Sequence, residues 1–212
     1  MRLIRNAATA FFFVSLSVLA LPAQAEPVTL VALGDSLTAG YGLPEGEGLV
    51  PQLQAWLDAQ GAEVTLINAG VSGDTTAGGL SRLDWSITPE TDAMIVTLGG
   101  NDLLRGLSPE ETKANLGKML AVLREAKVPV LLMGMRAPPN YGPEYQAEFD
   151  ALYRDLAKEY DAALIPFWLE DIYRDPALFQ SDRIHPTAEG IERLVSSTLG
   201  EVEGALPAPE GS

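Results

Sequence analysis

Five short apolar segments alternate with longer amphipathic segments along this chain. Strands are predicted at 28–33, 63–68, 92–98, 128–133 and 162–167. Helices are predicted at 48–60, 75–84, 108–126, 145–160 and 187–202. Apolar runs that are continuous rather than alternating are typical of parallel strands covered on both faces. We therefore predict an α/β protein of one domain, in which helices joined by right-handed crossovers cover a five-stranded parallel sheet.

The two ends of the chain depart from this pattern. Residues 1–25 have the features of a secretory signal peptide: basic residues near the start, an apolar stretch at 10–21, and small residues before a cleavage site after Ala25. The apolar stretch has 12 residues, whereas a helix needs roughly 20 to span a bilayer. We predict an exported protein, periplasmic or secreted and without a stable membrane anchor. Its single domain is expected over 26–204 and a flexible tail over 205–212.

Composition limits the classes of partner. The chain has 29 acidic and 14 basic residues, a formal net charge of -15, and no cysteine. An acidic surface disfavours nucleic acid and anionic lipid as partners. The absence of cysteine excludes a disulfide framework and lipid attachment through cysteine. We expect a monomer that acts on a small molecule and that would hold a lipid substrate through apolar contacts.

Segments rich in Gly, Asn, Ser and Asp follow the first, second, third and fifth predicted strands. They are residues 35–36, 68–75, 99–102 and 181–186. Ligands of open α/β sheets bind where the parallel strands end, so these segments are expected to meet at one edge of the sheet. That edge is the predicted position of a functional site.

Ser36 and His185 are the candidate catalytic pair at this edge. Ser36 follows the first apolar run, and His185 is the single histidine of the chain. Imidazole suits a general base at neutral pH, so kcat/KM is expected to rise through roughly pH 6 to 7. Asp182, three residues before His185, can orient the imidazole and stabilise its protonated form. Plainer interpretations stay open: a capped turn around the serine, a solvated histidine, and an aspartate that caps the last helix.

Acyl transfer also needs hydrogen-bond donors for the oxyanion of its tetrahedral intermediate. Gly73 can bring a backbone N–H close because it has no side chain, and Asn101 follows two glycines and can offer its amide. With the backbone N–H of Ser36, these residues form a predicted oxyanion hole. Replacing Asn101 by alanine is then expected to lower kcat by about 10²–10³-fold while the fold survives.

The same segments, taken together, resemble the conserved blocks of the SGNH (GDSL) hydrolase family. The matching residues are 34–37, Gly73, 99–102 and 182–186, in the order of the family's blocks. The resemblance covers nearly the whole chain after the signal peptide. It implies a flavodoxin-like three-layer α/β/α sandwich with central strand order 2-1-3-4-5.

The resemblance also implies a role for each site residue. It makes Ser36 the nucleophile, His185 the base and Asp182 its orienting carboxylate. It places Gly73 and Asn101 in the oxyanion hole with the serine N–H. Further stretches are similar to the bacterial periplasmic acyl-CoA thioesterase I, lysophospholipase and arylesterase subgroup, namely 72–75, 104–106, 139–142 and 164–167.

We therefore predict a serine esterase and thioesterase that acts through an acyl-enzyme on Ser36 and needs no metal or organic cofactor. An α/β-hydrolase is excluded, because its Gly-x-Ser-x-Gly elbow requires glycine where Thr38 stands. Three alternatives stay open: a carbohydrate O-deacetylase of the same family, an acyl-binding protein without turnover, and a magnesium or calcium site. Such a metal site would be built from Asp35, Asp74, Asp102 and Asp182. Arg82, Arg105 and Arg136 are either partners for substrate phosphates or solvated surface residues.

Overall fold

A computed structural model describes residues 27–207 and contains a parallel sheet covered by helices on both faces. The strands are β1 (Val28–Gly34), β2 (Val64–Gly70), β3 (Ala93–Thr97), β4 (Val130–Met133) and β5 (Ala163–Ile165). Their order across the sheet is β2-β1-β3-β4-β5, and all neighbouring strands are parallel. The predicted fold class and the strand order 2-1-3-4-5 are confirmed.

Helices follow each strand and form two layers. Within the described residues they are α1 (Ser36–Ala39), α2 (Leu49–Ala59), α3 (Thr76–Ser81), α4 (Leu83–Ser86), α5 (Gly100–Leu104), α6 (Pro109–Glu125), α7 (Pro143–Tyr160) and α8 (Ala188–Ala205). Helix α2 packs against α8, whereas α6 packs against α3 and α7. The sheet therefore lies between two helical layers.

The burial of the strands explains their sequences. All residues of β3 are buried, and so is β1 from Leu30 onward. Strands covered on both faces need apolar side chains at successive positions, which is why these segments read as continuous apolar runs. The edge strand β2 is mostly exposed or half-buried, and it carries polar side chains such as Thr65 and Asn68.

The structure corrects the predicted helix at 75–84. This stretch forms two short helices, α3 and α4, which meet at Arg82, a residue with φ of -114° and ψ of 7°. Helices α1 and α5 have four and five residues, too few to show the helical period from which helices are predicted. Helix α7 begins earlier than predicted, at Pro143, because proline suits the first turn.

Two glycines hold α1 close to the ends of β1 and β2. A Cβ on Gly34 would lie 2.0 Å from Oγ1 of Thr38, and a Cβ on Gly70 would lie 2.3 Å from the backbone nitrogen of Ala39. Any larger residue at either position would push the helix away from the sheet. The first residue of α1, Ser36, is therefore fixed against the carboxyl edge of the sheet.

Two predictions concern the ends of the chain, which lie wholly or mostly outside the described residues. The predicted signal peptide at 1–25 lies outside the described residues, as does most of the predicted tail at 205–212. Helix α8 extends to the first residue of that tail, Ala205, and thus ends three residues later than predicted. Within residues 27–207, none of the helices combines the length and the hydrophobicity that a membrane span requires.

Candidate active site

Ser36 is the first residue of α1, and one residue separates it from the end of β1 at Gly34. The preceding residue, Asp35, caps this helix, because its Oδ1 accepts a hydrogen bond from the backbone N–H of Leu37 at 3.0 Å. Gly40 ends the helix in the left-handed conformation with φ of 81°. The capped turn anticipated from the sequence is thus present, and it places the serine hydroxyl at the sheet edge.

The Ser36 hydroxyl contacts the single imidazole of the chain. The distance from Ser36 Oγ to His185 Nε2 is 2.9 Å, across a sequence separation of 149. The other ring nitrogen, Nδ1, lies 2.6 Å from Oδ2 of Asp182. This line of hydroxyl, imidazole and carboxylate lets the ring take a proton from serine while the carboxylate stabilises the resulting imidazolium.

Asp182 is held by its own turn. Its Oδ1 accepts hydrogen bonds from the backbone N–H groups of Ile184 at 2.9 Å and His185 at 3.0 Å. The hydrogen bond to the imidazole, followed by these backbone bonds, lowers the pKa of Asp182 to about 2, so the carboxylate stays ionised at neutral pH. Arg183 closes the turn with φ of 61°. Helix α8 is capped by Thr187 instead, so the helix-capping interpretation of Asp182 is wrong.

Two residues that the sequence analysis missed support the histidine. The ring of Tyr41 lies 4.5 Å from the His185 ring, centroid to centroid. Gln180 donates from Nε2 to the backbone oxygens of Tyr41 and Pro186, each at 2.9 Å, and from its backbone N–H to the His185 oxygen at 2.7 Å. Gln180 therefore ties the loop after α1 to the loop that carries the histidine. No motif around Gln180 signals this contact.

Gly73 and Asn101 follow the two strands on either side of β1. Gly73 lies in the loop after β2, with φ of 87°, and Asn101 lies in the first turn of α5, after β3. Asn101 donates from Nδ2 to Oδ2 of Asp35 at 3.1 Å, which places its amide beside the serine. Within residues 27–207, the N–H groups of Ser36 and Gly73 donate no backbone hydrogen bond. Both remain available to a ligand.

Arg105 connects the two loops that carry these donors. It donates from Nη2 to the backbone oxygen of Gly73 at 2.6 Å, so it holds the peptide that follows Gly73. Arg136 has a different environment. It pairs with Glu170 at 2.7 Å and lies over the ring of Phe167 at 4.5 Å.

Arg82 has a structural role that neither sequence interpretation anticipated. Its Nε donates to the Asp74 carboxylate at 2.6 Å. Its two terminal nitrogens donate to the backbone oxygens of Ala69 and Gly34, each at 2.8 Å. The guanidinium thus joins the carboxyl ends of β1 and β2 beneath the site, and these bonds also explain why the helix predicted at 75–84 breaks at this residue.

The four aspartates weighed as metal ligands have separate partners. Asp35 contacts Asn101, Asp74 pairs with Arg82, and Asp182 contacts the imidazole. Asp102 is fully buried and accepts hydrogen bonds from the side chains of two threonines, Thr76 and Thr112. In the described part of the chain, no three side chains of His, Cys, Asp or Glu cluster in a way that could hold a metal ion.

An open parallel α/β sheet whose carboxyl edge carries a serine, a histidine and an aspartate in hydrogen-bonded line has the architecture of a serine hydrolase. Comparison with known families assigns the chain further. It belongs to the GDSL-like lipase/acylhydrolase family, whose model matches residues 32–193.

Named relatives cover most of the chain. Esterase TesA of Pseudomonas aeruginosa is 40% identical over 183 residues, which cover 86% of this chain and 91% of the relative. Thioesterase 1/protease 1/lysophospholipase L1 of Escherichia coli K12 is 40% identical over 162 residues, or 76% of each chain. The crystal structure of AlinE4, an SGNH-hydrolase family esterase, matches with a TM-score of 0.72 and 52% identity, covering 88% of this chain and 100% of AlinE4.

Proposed function

We propose that the protein is a serine esterase and thioesterase that hydrolyses acyl esters and thioesters through an acyl-enzyme on Ser36. One observation carries the proposal: hydrogen bonds of 2.9 and 2.6 Å connect Ser36 to His185 and His185 to Asp182. Membership of an acylhydrolase family supports it. So do the names of the relatives, which include esterase, thioesterase and lysophospholipase.

In the first step, Ser36 Oγ attacks the carbonyl carbon of the substrate while His185 Nε2 accepts the hydroxyl proton. Asp182 keeps the ring in the tautomer with the proton on Nδ1. The tetrahedral oxyanion accepts hydrogen bonds from the N–H groups of Ser36 and Gly73 and from the Asn101 amide. Collapse of this intermediate breaks the bond to the thiol or alcohol, which leaves with the proton from Nε2.

The second step releases the acid and restores the enzyme. A water molecule gives a proton to Nε2 of His185 and attacks the acyl carbon on Ser36, and a second oxyanion forms in the same hole. The bond to Oγ then breaks, the serine recovers its proton from the imidazole, and the carboxylic acid departs.

Apolar side chains on the site loops favour an acyl group as the part of the substrate that is bound. Four of them are unusually exposed: Tyr41 at 53%, Val71 at 45%, Leu104 at 56% and Ile184 at 42%. They come from the segments after α1, after β2, at the end of α5 and just before His185. Burying such surface against a hydrocarbon chain is favourable. An acidic protein can hold a lipid-like substrate in this way without a basic surface.

We further propose that the protein acts outside the cytoplasm, in the periplasm or as a secreted monomer, after cleavage following Ala25. The support is the basic start, the apolar stretch and the small residues of 1–25.

The test is a panel of p-nitrophenyl esters and acyl-CoA thioesters of short, medium and long acyl chains, with acetylated oligosaccharides beside them. The chain from residue 26 is compared with Ser36→Ala and with Ser196→Ala, a matched control whose hydroxyl contacts the helix backbone of α8. We expect a burst of p-nitrophenol stoichiometric with enzyme and its loss in Ser36→Ala alone. Turnover confined to acetyl esters would favour an O-deacetylase, and binding without a burst would favour an acyl-binding protein.

A further inference from the structure

Asp35 is a buried carboxylate that the acyl-transfer steps above leave unused. Asp35 is 2% exposed. The two oxygens of its carboxylate have different partners. Oδ1 caps α1 through the N–H of Leu37 at 3.0 Å, while Oδ2 accepts the Asn101 amide at 3.1 Å. One residue therefore contacts both the nucleophile helix and the side chain placed to bind the oxyanion.

We propose that Asp35 is a positioning residue that fixes the orientation of the Asn101 amide, so that an N–H rather than the amide oxygen faces the oxyanion. The inference rests on the proposed acyl transfer at Ser36. The two ends of an asparagine amide have nearly the same shape but opposite hydrogen-bonding character. An ionised carboxylate only accepts hydrogen bonds, so Nδ2 must face Asp35, and its second hydrogen remains free for the substrate.

The surroundings of Asp35 favour a single orientation of the Asn101 amide. A Cβ on Gly100 would lie 3.4 Å from Oδ2, so the carboxylate packs against the first residue of α5, next to Asn101. Burial leaves little room for solvent to replace the carboxylate as acceptor. An unpaired amide oxygen turned toward a developing oxyanion would repel it, whereas an N–H stabilises it.

The preference for this orientation of the Asn101 amide depends on the charge of Asp35. Burial raises its pKa to about 6, against the lowering effects of the Leu37 N–H, the Asn101 amide and His185, while Asp74 opposes ionisation. A protonated Asp35 can donate a hydrogen bond and thus tolerate the flipped amide. An ionisation that belongs to Asp35 is therefore expected in the acid limb of kcat/KM.

Two substitutions separate this role from helix capping. Asp35→Asn keeps an oxygen for the Leu37 N–H but presents an NH₂ group that forces the Asn101 amide to flip. Asp35→Ser keeps a good capping hydroxyl that is too short to reach Asn101. The matched control is Asp92→Asn, an aspartate that accepts the backbone N–H of Thr29 at 2.8 Å at the opposite end of β1.

The experiment is a double-mutant cycle with Asn101→Ala, in which kcat, KM and thermal stability are measured for each variant. We expect Asp35→Asn to lower kcat by about 10–10²-fold and Asp35→Ser by about 10-fold, with KM changed less than about twofold. Each is expected to change kcat less than about twofold further in the Asn101→Ala background. Asp35→Asn should also remove the Asp35 ionisation from the acid limb of kcat/KM, and Asp92→Asn should retain the parent kcat.

Equal losses of kcat in both backgrounds would overturn the inference, because Asp35 would then act independently of Asn101. Unchanged kcat in Asp35→Asn and Asp35→Ser would overturn it too. Failure of the proposed function looks different. In that case the parent protein shows no turnover that depends on Ser36, so there is no kcat to compare among the variants of the cycle.

Discussion

Replacing Asp35 by asparagine is expected to stabilise the folded protein at neutral pH even as it lowers turnover. Burial raises the pKa of this carboxyl from 3.8 to about 6. Between these pH values the folded state binds more protons than the unfolded state, so folding becomes less favourable as the pH rises from about 4 to about 6. Above that window the whole penalty of the buried charge is present, and below it the penalty is absent.

The size of the effect follows from the pKa. One pKa unit corresponds to about 1.4 kcal/mol, so the increase from 3.8 to about 6 amounts to about 3 kcal/mol of destabilisation at neutral pH. Asparagine cannot ionise and does not carry this penalty. Its altered contacts with Asn101 add an offset that does not depend on pH. The expected signal is therefore the change in the stability difference between variant and parent, about 2.4 kcal/mol from pH 4 to pH 7.5, because part of the penalty is already present at pH 4.

Urea unfolding followed by tryptophan fluorescence at several pH values measures this difference. Thr97→Val is a suitable control, because it is a buried, non-titrating change at the same edge of the sheet. Its stability difference from the parent should not vary with pH. The difference in unfolding free energy between Asp35→Asn and the parent is expected to increase with pH. If this difference stays constant from pH 4 to pH 7.5, or decreases as the pH rises, the buried carboxylate does not destabilise the fold and the reasoning fails.

Three further changes probe the site and its support. Asp182→Asn should lower kcat by about 10²–10⁴-fold with little change in KM, because the imidazole loses its orienting carboxylate; a loss below tenfold in steady-state assays would contradict this. Gly70→Ala should destabilise the protein by about 1–3 kcal/mol through the clash with α1, whereas Gly200→Ala, with open space around it, should be neutral or stabilising in thermal melts. Thr97→Val should raise the unfolding free energy by about 1 kcal/mol, since the Thr97 hydroxyl is buried without a partner in the described residues.

The elements predicted well are those with a strong local signal. The β3 segment is buried throughout, and its run of apolar residues made it recognisable as a covered parallel strand. The short helices α1 and α5 were beyond such a prediction, because their length is set by how the chain turns away from the sheet. The break at Arg82 has a similar origin. Its guanidinium bonds to the ends of two strands, contacts that no pattern within 75–84 reveals.

The site residues divide in the same way. Ser36, His185 and Asp182 could be selected from chemistry, because acyl transfer needs a nucleophile, a base and an orienting carboxylate, and the chain has one histidine. The contacts of Gln180 with the histidine loop and of Arg105 with the backbone oxygen of Gly73 could not be selected in this way. Glutamine and arginine occur commonly on protein surfaces, and their residue types carry no signal for these positions.

By itself, the sequence determined that a parallel sheet would form and that its polar loops would gather at one edge. Apolar periodicity is a local property, and a helix between successive strands lets them run in the same direction. The tertiary structure alone decided that Ser36 Oγ and His185 Nε2 lie 2.9 Å apart and that Asp35 faces Asn101. Those distances depend on how closely glycines let α1 approach the strands and on how side chains from separate loops pack together. Such packing is set by the whole fold and not by any segment within it.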